Sequence, residues 1–287
     1  MRLQFTKMQG TGNDFVVLDN QAGNIDFSPE LVRYVCNRHF GIGADGILSV
    51  EKSDCADLRM RIFNSDGSEP EMCGNGIRCF ARYARERWLV DAEEFEIETL
   101  AGVIRPRLSG NRVAVDMGLP RLEAEDIPVN LTGRVLDREV RLAGRDLLIS
   151  CVSMGNPHCI IFGGKTGNDD IRELGPLIEM DPLFPNKTNV EFTQILGPGE
   201  IRIDVWERGA GVTLACGTGA CAAVVAAHLT GRTGREVLVH LPGGDLSVEW
   251  KNDDRVQLIG PADFVFQGEI NLDLPNLENT PGPGQGG

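Results

Sequence analysis

The chain has 287 residues, 41% hydrophobic and 24% charged, with a formal net charge of −14; this is the balance of a soluble globular protein of about two domains. Its acidity excludes nucleic acid and anionic membrane as general partners, since phosphate surfaces are held through clustered Lys and Arg. No apolar stretch approaches the roughly 20 residues of a membrane span, Met1-Arg2-Leu3-Gln4-Phe5 has no secretory apolar region, and eight scattered cysteines are no disulfide scaffold, so the chain reads as cytoplasmic with reduced thiols.

The first residues lead straight into a strand, and Phe15 to Asp19 reads as another. Ser28-Pro29-Glu30 caps a helix running towards Asn37, with Pro at the first helical position. Gly41-Ile42-Gly43-Ala44-Asp45-Gly46 reads as a glycine-rich loop, Leu58 to Phe63 as a strand and Asn64 to Pro70 as a turn or loop. From Cys73 to about Leu89 the positions Ile77, Phe80, Ala81, Ala84 and Trp88 keep helical spacing. Three alternating segments follow, Phe95 to Thr99, Val103 to Leu108 and Arg112 to Met117, and predict antiparallel strands.

The second half repeats the order. Strands are predicted at Val140 to Leu142, Leu147 to Ser153, Cys159 to Phe162, Val190 to Ile195 and Ile201 to Trp206, with a helix near Ile171 to Met180. After the glycine-rich Arg208 to Gly211 comes a helix from Cys216 to Leu229 that is apolar on nearly every side and must be enclosed, inside a curved sheet. Closing strands run from Val237 to His240, Leu246 to Trp250, Val256 to Ile259 and Phe264 to Phe266. The tail over 275–287 is too poor in apolar groups to fold.

One signature occurs twice, as Met72-Cys73-Gly74-Asn75-Gly76 and Ala215-Cys216-Gly217-Thr218-Gly219, and Cys73 and Cys216 lie 143 positions apart. Asn13 and Asn156, and Asn64 and Glu207, keep the same offset, which reads as an ancient duplication. The fold class expected is α+β, with two pseudo-symmetric halves, each a barrel-like antiparallel or mixed sheet around a central helix. The halves are 1–117, completed by 262–274, and 118–261.

Each of the two cysteines stands at a helix N-terminus followed by glycines, where unpaired N–H groups and the positive end of the helix dipole lower a thiol pKa and make an anion site. Two such ends facing one cleft would place a sulfur on each side of the α-carbon of a small carboxylate. One thiolate would remove the α-proton while the opposite thiol returned a proton to the other face, with the N–H groups holding the charge that develops on the carboxylate. The scheme calls for no cofactor. Neither Cys73 with Cys79 nor Cys216 with Cys221 has zinc-ligand spacing, so no metal is expected. A disulfide between the pair would be an inactivated form. Cys36, Cys55, Cys79, Cys151, Cys159 and Cys221 read as buried core residues.

Six motifs in order, Met8 to Phe15, Phe63 to Ser68, Glu71 to Gly76, Met154-Gly155-Asn156-Pro157-His158, Thr188 to Phe192 and Trp206 through Gly219, resemble the diaminopimelate epimerases from about residue 3 to 274. The resemblance implies interconversion of LL- and meso-2,6-diaminopimelate in lysine and peptidoglycan precursor synthesis, without pyridoxal phosphate or metal. By position it implies that Cys73 and Cys216 are acid and base, with His158 and Glu207 as their respective modulators. The backbone at Gly74, Asn75, Gly217 and Thr218 would hold the reacting carboxylate. Asn13, Asn64, Asn156, Asn189 and Arg208 would fix the distal end, with Glu207 available to a substrate ammonium. Relatives often carry Gln at the position of Gly46, and a dimer-interface Tyr at that of Phe266; the partner implied is a second copy, in a homodimer. Two alternatives remain at this stage. A proline racemase or hydroxyproline epimerase would typically show His after Met-Cys-Gly, where this chain has Asn75, and would need no distal Arg208. A non-catalytic ligand-binding relative would have replaced one of the thiols.

Overall fold

A computed structural model of the chain describes residues 2–163 and 168–272; the tail expected over 275–287 lies outside the described residues. The order is β1 (Arg2–Gly10), β2 (Asn13–Asp19), α1 (Pro29–Cys36), β3 (Gly46–Glu51), β4 (Leu58–Asn64), α2 (Gly74–Glu86), β5 (Ile97–Thr99), β6 (Gly102–Ile104), β7 (Arg107–Ser109) and β8 (Arg112–Asp116). It continues with β9 (Arg138–Leu142), β10 (Arg145–Ser153), β11 (Pro157–Phe162), α3 (Asn168–Glu179), β12 (Asn189–Gly197), β13 (Glu200–Glu207), β14 (Gly211–Thr213) and α4 (Gly217–Leu229). The last strands are β15 (Glu236–Leu241), β16 (Gly244–Trp250), β17 (Val256–Pro261) and β18 (Asp263–Asn271). Two compact units result, one from residues up to Val115 with those from Pro261 onward, the other Asp116–Gly260.

The first unit has the strand path β18-β1-β2-β3-β4-β5-β6. Ser28 caps α1 by accepting from the Leu31 N–H, and Pro29 occupies its first turn. The apolar face of α1, with Leu31, Val32 and Val35, packs on Leu3, Phe5, Val16, Leu18 and Ile47. α2 packs along β1 to β4. In the second unit the path is β17-β16-β15-β13-β12-β11-β10-β9, with β14 added to β13. Its α4 is buried without interruption from Gly219 to Ala227, among Val152, Ile160, Ile203, Val239, Val248 and Leu258 of the surrounding strands. A second cluster covers Ile171, Leu174 and Ile178 of α3.

The internal repeat is written in the strand registers. β2 runs parallel to β3 with Phe15 opposite Gly46, and β3 antiparallel to β4 with Ile47 opposite Phe63. β11 runs parallel to β12 with His158 opposite Asn189, and β12 antiparallel to β13 with Val190 opposite Trp206. Each residue of the second set stands 143 positions after its counterpart, and so do both ends of α4 relative to α2.

The sequence reading differs from the structure in four places. β3 begins at Gly46, the last residue of the expected loop, and continues through a stretch for which the sequence predicts no element, because the segment is buried on both faces and shows no alternation. The run from Val103 to Leu108 is two strands, split around Pro106, which has no N–H to donate to a ladder. β14 is a three-residue strand inside what read as loop, and β18 extends well beyond Phe264 to Phe266.

Candidate functional site

In the first unit Cys73 is the N-cap of α2 in extended backbone (φ −140°, ψ 121°), so the chain enters the helix at Gly74 and Asn75 with its first N–H groups outside the helical ladder. The Cys73 thiol donates to Asn13 Oδ1 at 3.7 Å, and Asn75 Nδ2 donates to the same oxygen at 3.3 Å. Asn13 Nδ2 donates to Asp45 Oδ2 at 2.8 Å. A carboxylate only accepts, so Asp45 fixes the amide with its oxygen towards Cys73. Behind it Arg38 bridges Asp45 and Asp14 (2.8 and 2.7 Å), and the buried Lys7 pairs with Asp14 at 2.5 Å and donates to Gly43 O. Burial opposes ionisation of Asp14, but the Arg38 and Lys7 bonds outweigh it and hold its carboxyl well below the usual range. Asn64 ends β4, exposed, with Nδ2 on Ser68 Oγ.

In the second unit Cys216 is the N-cap of α4 (φ −122°, ψ 112°), and its sulfur accepts from the Gly219 N–H at 3.4 Å. Thr218 Oγ1 lies 3.4 Å from that sulfur and accepts from Asn156 Nδ2 at 3.3 Å. Asn156 Oδ1 meets His158 Nε2 at 3.0 Å, and His158 Nδ1 meets Glu191 Oε1 at 2.6 Å, with the His158 and Glu191 side chains fully buried. Glu207 accepts from Thr213 Oγ1 at 2.5 Å, and its charge is felt by the Cys216 thiol. Burial, and secondarily the charge of Glu191, raise the Glu207 pKa. Glu207 ends β13 and Arg208 opens the turn to β14, a corner held by Glu179, which accepts from Trp206 Nε1 (2.7 Å) and the Gly209 N–H (3.0 Å).

Cys73, Asn13 and Asn75 therefore meet in one unit, and Cys216, Thr218, Asn156, His158 and Glu207 in the other. Asn189 is buried, donating to Pro157 O and accepting from the Arg208 N–H, so its amide fastens the exposed Arg208 to β11. A Cβ at Gly46 would stand 2.6 Å from Phe63 O, so a larger residue there would require the β3 and β4 backbones to move.

Two expectations are corrected. The Cys216 thiol pKa is raised, not lowered: burial and the carboxylates of Glu207 and Glu191 oppose ionisation more than Thr218 and the Gly219 N–H favour it. Cys55 is exposed rather than buried, in the turn after β3. Burial pushes Cys36 and Cys79 up to about 12, as befits inert core thiols. Glu191, Glu179 and the Lys7, Asp14, Arg38 and Asp45 network were not anticipated. The signal available in the sequence for Glu191 was a lone acid inside the apolar run Val190 to Phe192.

Residues 5–123 and 150–265 match the family model described as diaminopimelate epimerase. The chain is 54% identical over 279 residues to the diaminopimelate epimerase of Moorella thermoacetica, covering 94% of this chain and all of that one. It is 49% identical over 279 residues to that of Synechocystis sp., covering 95% and 100%. Among solved structures it is similar in fold to a phenazine biosynthesis protein of the PhzF family from Bacillus anthracis (TM-score 0.69, 17% identity, 95% and 100% covered). A hydroxyproline epimerase from Agrobacterium vitis is comparably similar (TM-score 0.66, 16% identity, 96% and 94% covered).

Proposed function

The chain belongs to the diaminopimelate epimerase family, and from that membership we propose that it interconverts the LL and meso isomers of 2,6-diaminopimelate, for lysine and peptidoglycan precursors, by proton transfer between Cys73 and Cys216. The observation that carries the reading is the pair of thiols at equivalent N-caps of α2 and α4, each beside a glycine-flanked first turn. In the proposed step one thiolate takes the α-proton, forming S–H as C–H breaks, and the electron pair left on carbon spreads into the substrate carboxylate. The opposite thiol then delivers its proton to the other face and keeps its electron pair as thiolate. Protons balance, and only the configuration and the protonated sulfur change. N–H groups at Gly74, Asn75, Gly217 and Thr218 are suited to the carboxylate because they are positioned before charge develops. Glu207, half-buried and with its pKa raised, is suited to accept the Cys216 proton when that sulfur acts as base. His158, with both ring nitrogens held by Asn156 and Glu191, is assigned as the modulator of Cys73 by its charge and not as its proton acceptor.

Asn13, Asn64, Asn156, Asn189, Glu207 and Arg208 are proposed to read the distal amino-acid end, with the Arg208 guanidinium suited to two-pronged grip on a carboxylate. A cytoplasmic place is proposed from the part the enzyme takes in precursor synthesis; separately, among the described residues no helix is long and apolar enough to cross a membrane. Homodimerisation is proposed through β18, a sheet-edge strand presenting Val265 and Phe266 half exposed.

The test is incubation of reduced protein with LL-diaminopimelate in D2O, without added cofactor. Deuterium is expected at the α-carbon as the meso isomer appears, and its absence would overturn the reading. Cys73→Ala and Cys216→Ala are each expected to lower turnover by at least about 10²–10⁴-fold, the scale of a lost general acid or base; near-normal rates in either would refute the two-thiol step.

A further inference from the structure

We propose that Glu191 is a positioning residue for the Cys216 half of the site: through His158 and Asn156 it fixes the Thr218 hydroxyl on the Cys216 sulfur. The inference rests on the functional reading above. Its logic is donor polarity. Asn156 gives Nδ2 to Thr218 and turns Oδ1 to His158 Nε2, so Nε2 must carry a proton. With Nε2 protonated, Nδ1 needs either a second proton with an acceptor or a donor to face it. The Glu191 carboxyl, 2.6 Å away, meets both cases by sharing a proton with Nδ1. Thr218, already accepting from Asn156, is left with its own hydrogen for the sulfur 3.4 Å away. Without Glu191 the neutral imidazole can keep its proton on Nδ1. Asn156 would then turn round, donate to Nε2 and draw the Thr218 hydroxyl onto its own oxygen.

The fold does not require this pair. Phe15 and Leu48 stand 143 positions before His158 and Glu191, in the same strand registers and equally buried, so the first unit fills the place with hydrocarbon. Burying an acid and a histidine costs desolvation that the apolar pair avoids. The carboxyl also reaches the helix bearing Cys216: a Cβ at Gly219 would stand 2.7 Å from Glu191 Oε1, while at Gly76 the neighbour is a Leu48 methyl at 3.1 Å. Besides His158, the titratable groups that sense Glu191 among the described residues are Glu207, Cys216 and, on β11, Cys159.

The polarity is read without any variant of Glu191 by 15N-histidine NMR of the whole protein, with His158→Phe assigning one signal among four histidines. His158 Nε2 is expected to carry a proton, and an unprotonated Nε2 overturns the proposal. In kinetics Glu191→Leu is expected to lower kcat about 10- to 100-fold, the scale of one charge-assisted hydrogen bond, with KM changed far less. Because Glu191 acts through His158, adding Glu191→Leu to His158→Phe should cost nothing further, and that double variant carries the first unit's own apolar pair. Additive losses would overturn the proposal. A wild type inactive on diaminopimelate would sink the functional reading alone, since the ring-nitrogen signal decides the polarity independently.

Discussion

Cys216 sits in a field that opposes its own ionisation. Burial is the largest contribution, followed by the carboxylates of Glu207 and Glu191; the Thr218 hydroxyl and the Gly219 N–H pull the other way and do not compensate. A thiol so placed holds its proton at neutral pH, which suits a donor, and it becomes a base only when a neighbour takes the proton away. In the proposed step Glu207 is that neighbour, which gives one charge two effects of opposite sign. Glu207→Gln removes a repulsive charge, and the pH midpoint for iodoacetamide alkylation of Cys216, followed by mass spectrometry of its peptide, is expected to move to lower pH. Epimerisation by the same variant is expected to fall by about 10²-fold or more, because the proton acceptor is gone. An unmoved or raised midpoint would show that the Glu207 charge does not govern this thiol.

The two helices that carry the cysteines are enclosed by different means. α4 is lined by Ala, Val and Cys and needs only apolar strands around it. α2 carries Arg78 with no exposed surface, donating to Pro261 O (3.2 Å), Gly74 O (3.2 Å) and Thr11 Oγ1 (3.1 Å), where α4 has Cys221 at the corresponding position. The guanidinium thus ties the first turn of α2 to the β1–β2 turn and to the chain returning towards β18. Arg78→Met is expected to cost about 2–4 kcal/mol in urea unfolding, since it removes charged donors from buried acceptors; a loss below about 1 kcal/mol would mean that other groups satisfy them. Such features explain what the sequence reading reached and what it did not. α4 was legible because a helix apolar all round has only one place to be, and the cysteine pair because one offset recurred at several landmarks. β3 was not, being buried on both faces and so without alternation. Arg78 and Glu191 were illegible for a common reason: periodicity assigns charged residues to solvent, and each is held in the interior by at least one partner distant in sequence, Thr11 and Pro261 for Arg78 and His158 for Glu191. Cys55 erred the other way, because cysteine is by habit a buried residue and only the fold shows it in a turn.

At the scale of the chain the two units differ in continuity. Asp116–Gly260 is one uninterrupted segment with its own helix-centred core, whereas the first unit needs residues from both ends. β18 pairs with β1 from Arg2 opposite Asn271 to Gln9 opposite Asp263, with a bulge at Lys7 and Met8, and Phe266 sets its ring edge on Phe5. Arg82 holds the start of the same strand through Ala262 O and Asp263. Truncation after Gly260 would therefore strip β1 of its outer partner, take Pro261 from Arg78, and leave Leu3 and Phe5 beside an open sheet edge. Hydrogen exchange followed by mass spectrometry of the truncated chain is expected to show β1, β2 and α2 losing protection by several orders of magnitude. The α4 amides and those of β10 to β13 should stay near their full-length values. Epimerase activity is expected to vanish with Cys216 still held in its folded helix cap, since the other thiol's unit has melted. Uniform loss of protection in both units would instead show that they fold as a single cooperative body, and full protection of β1 would show that β18 contributes little to holding the first sheet.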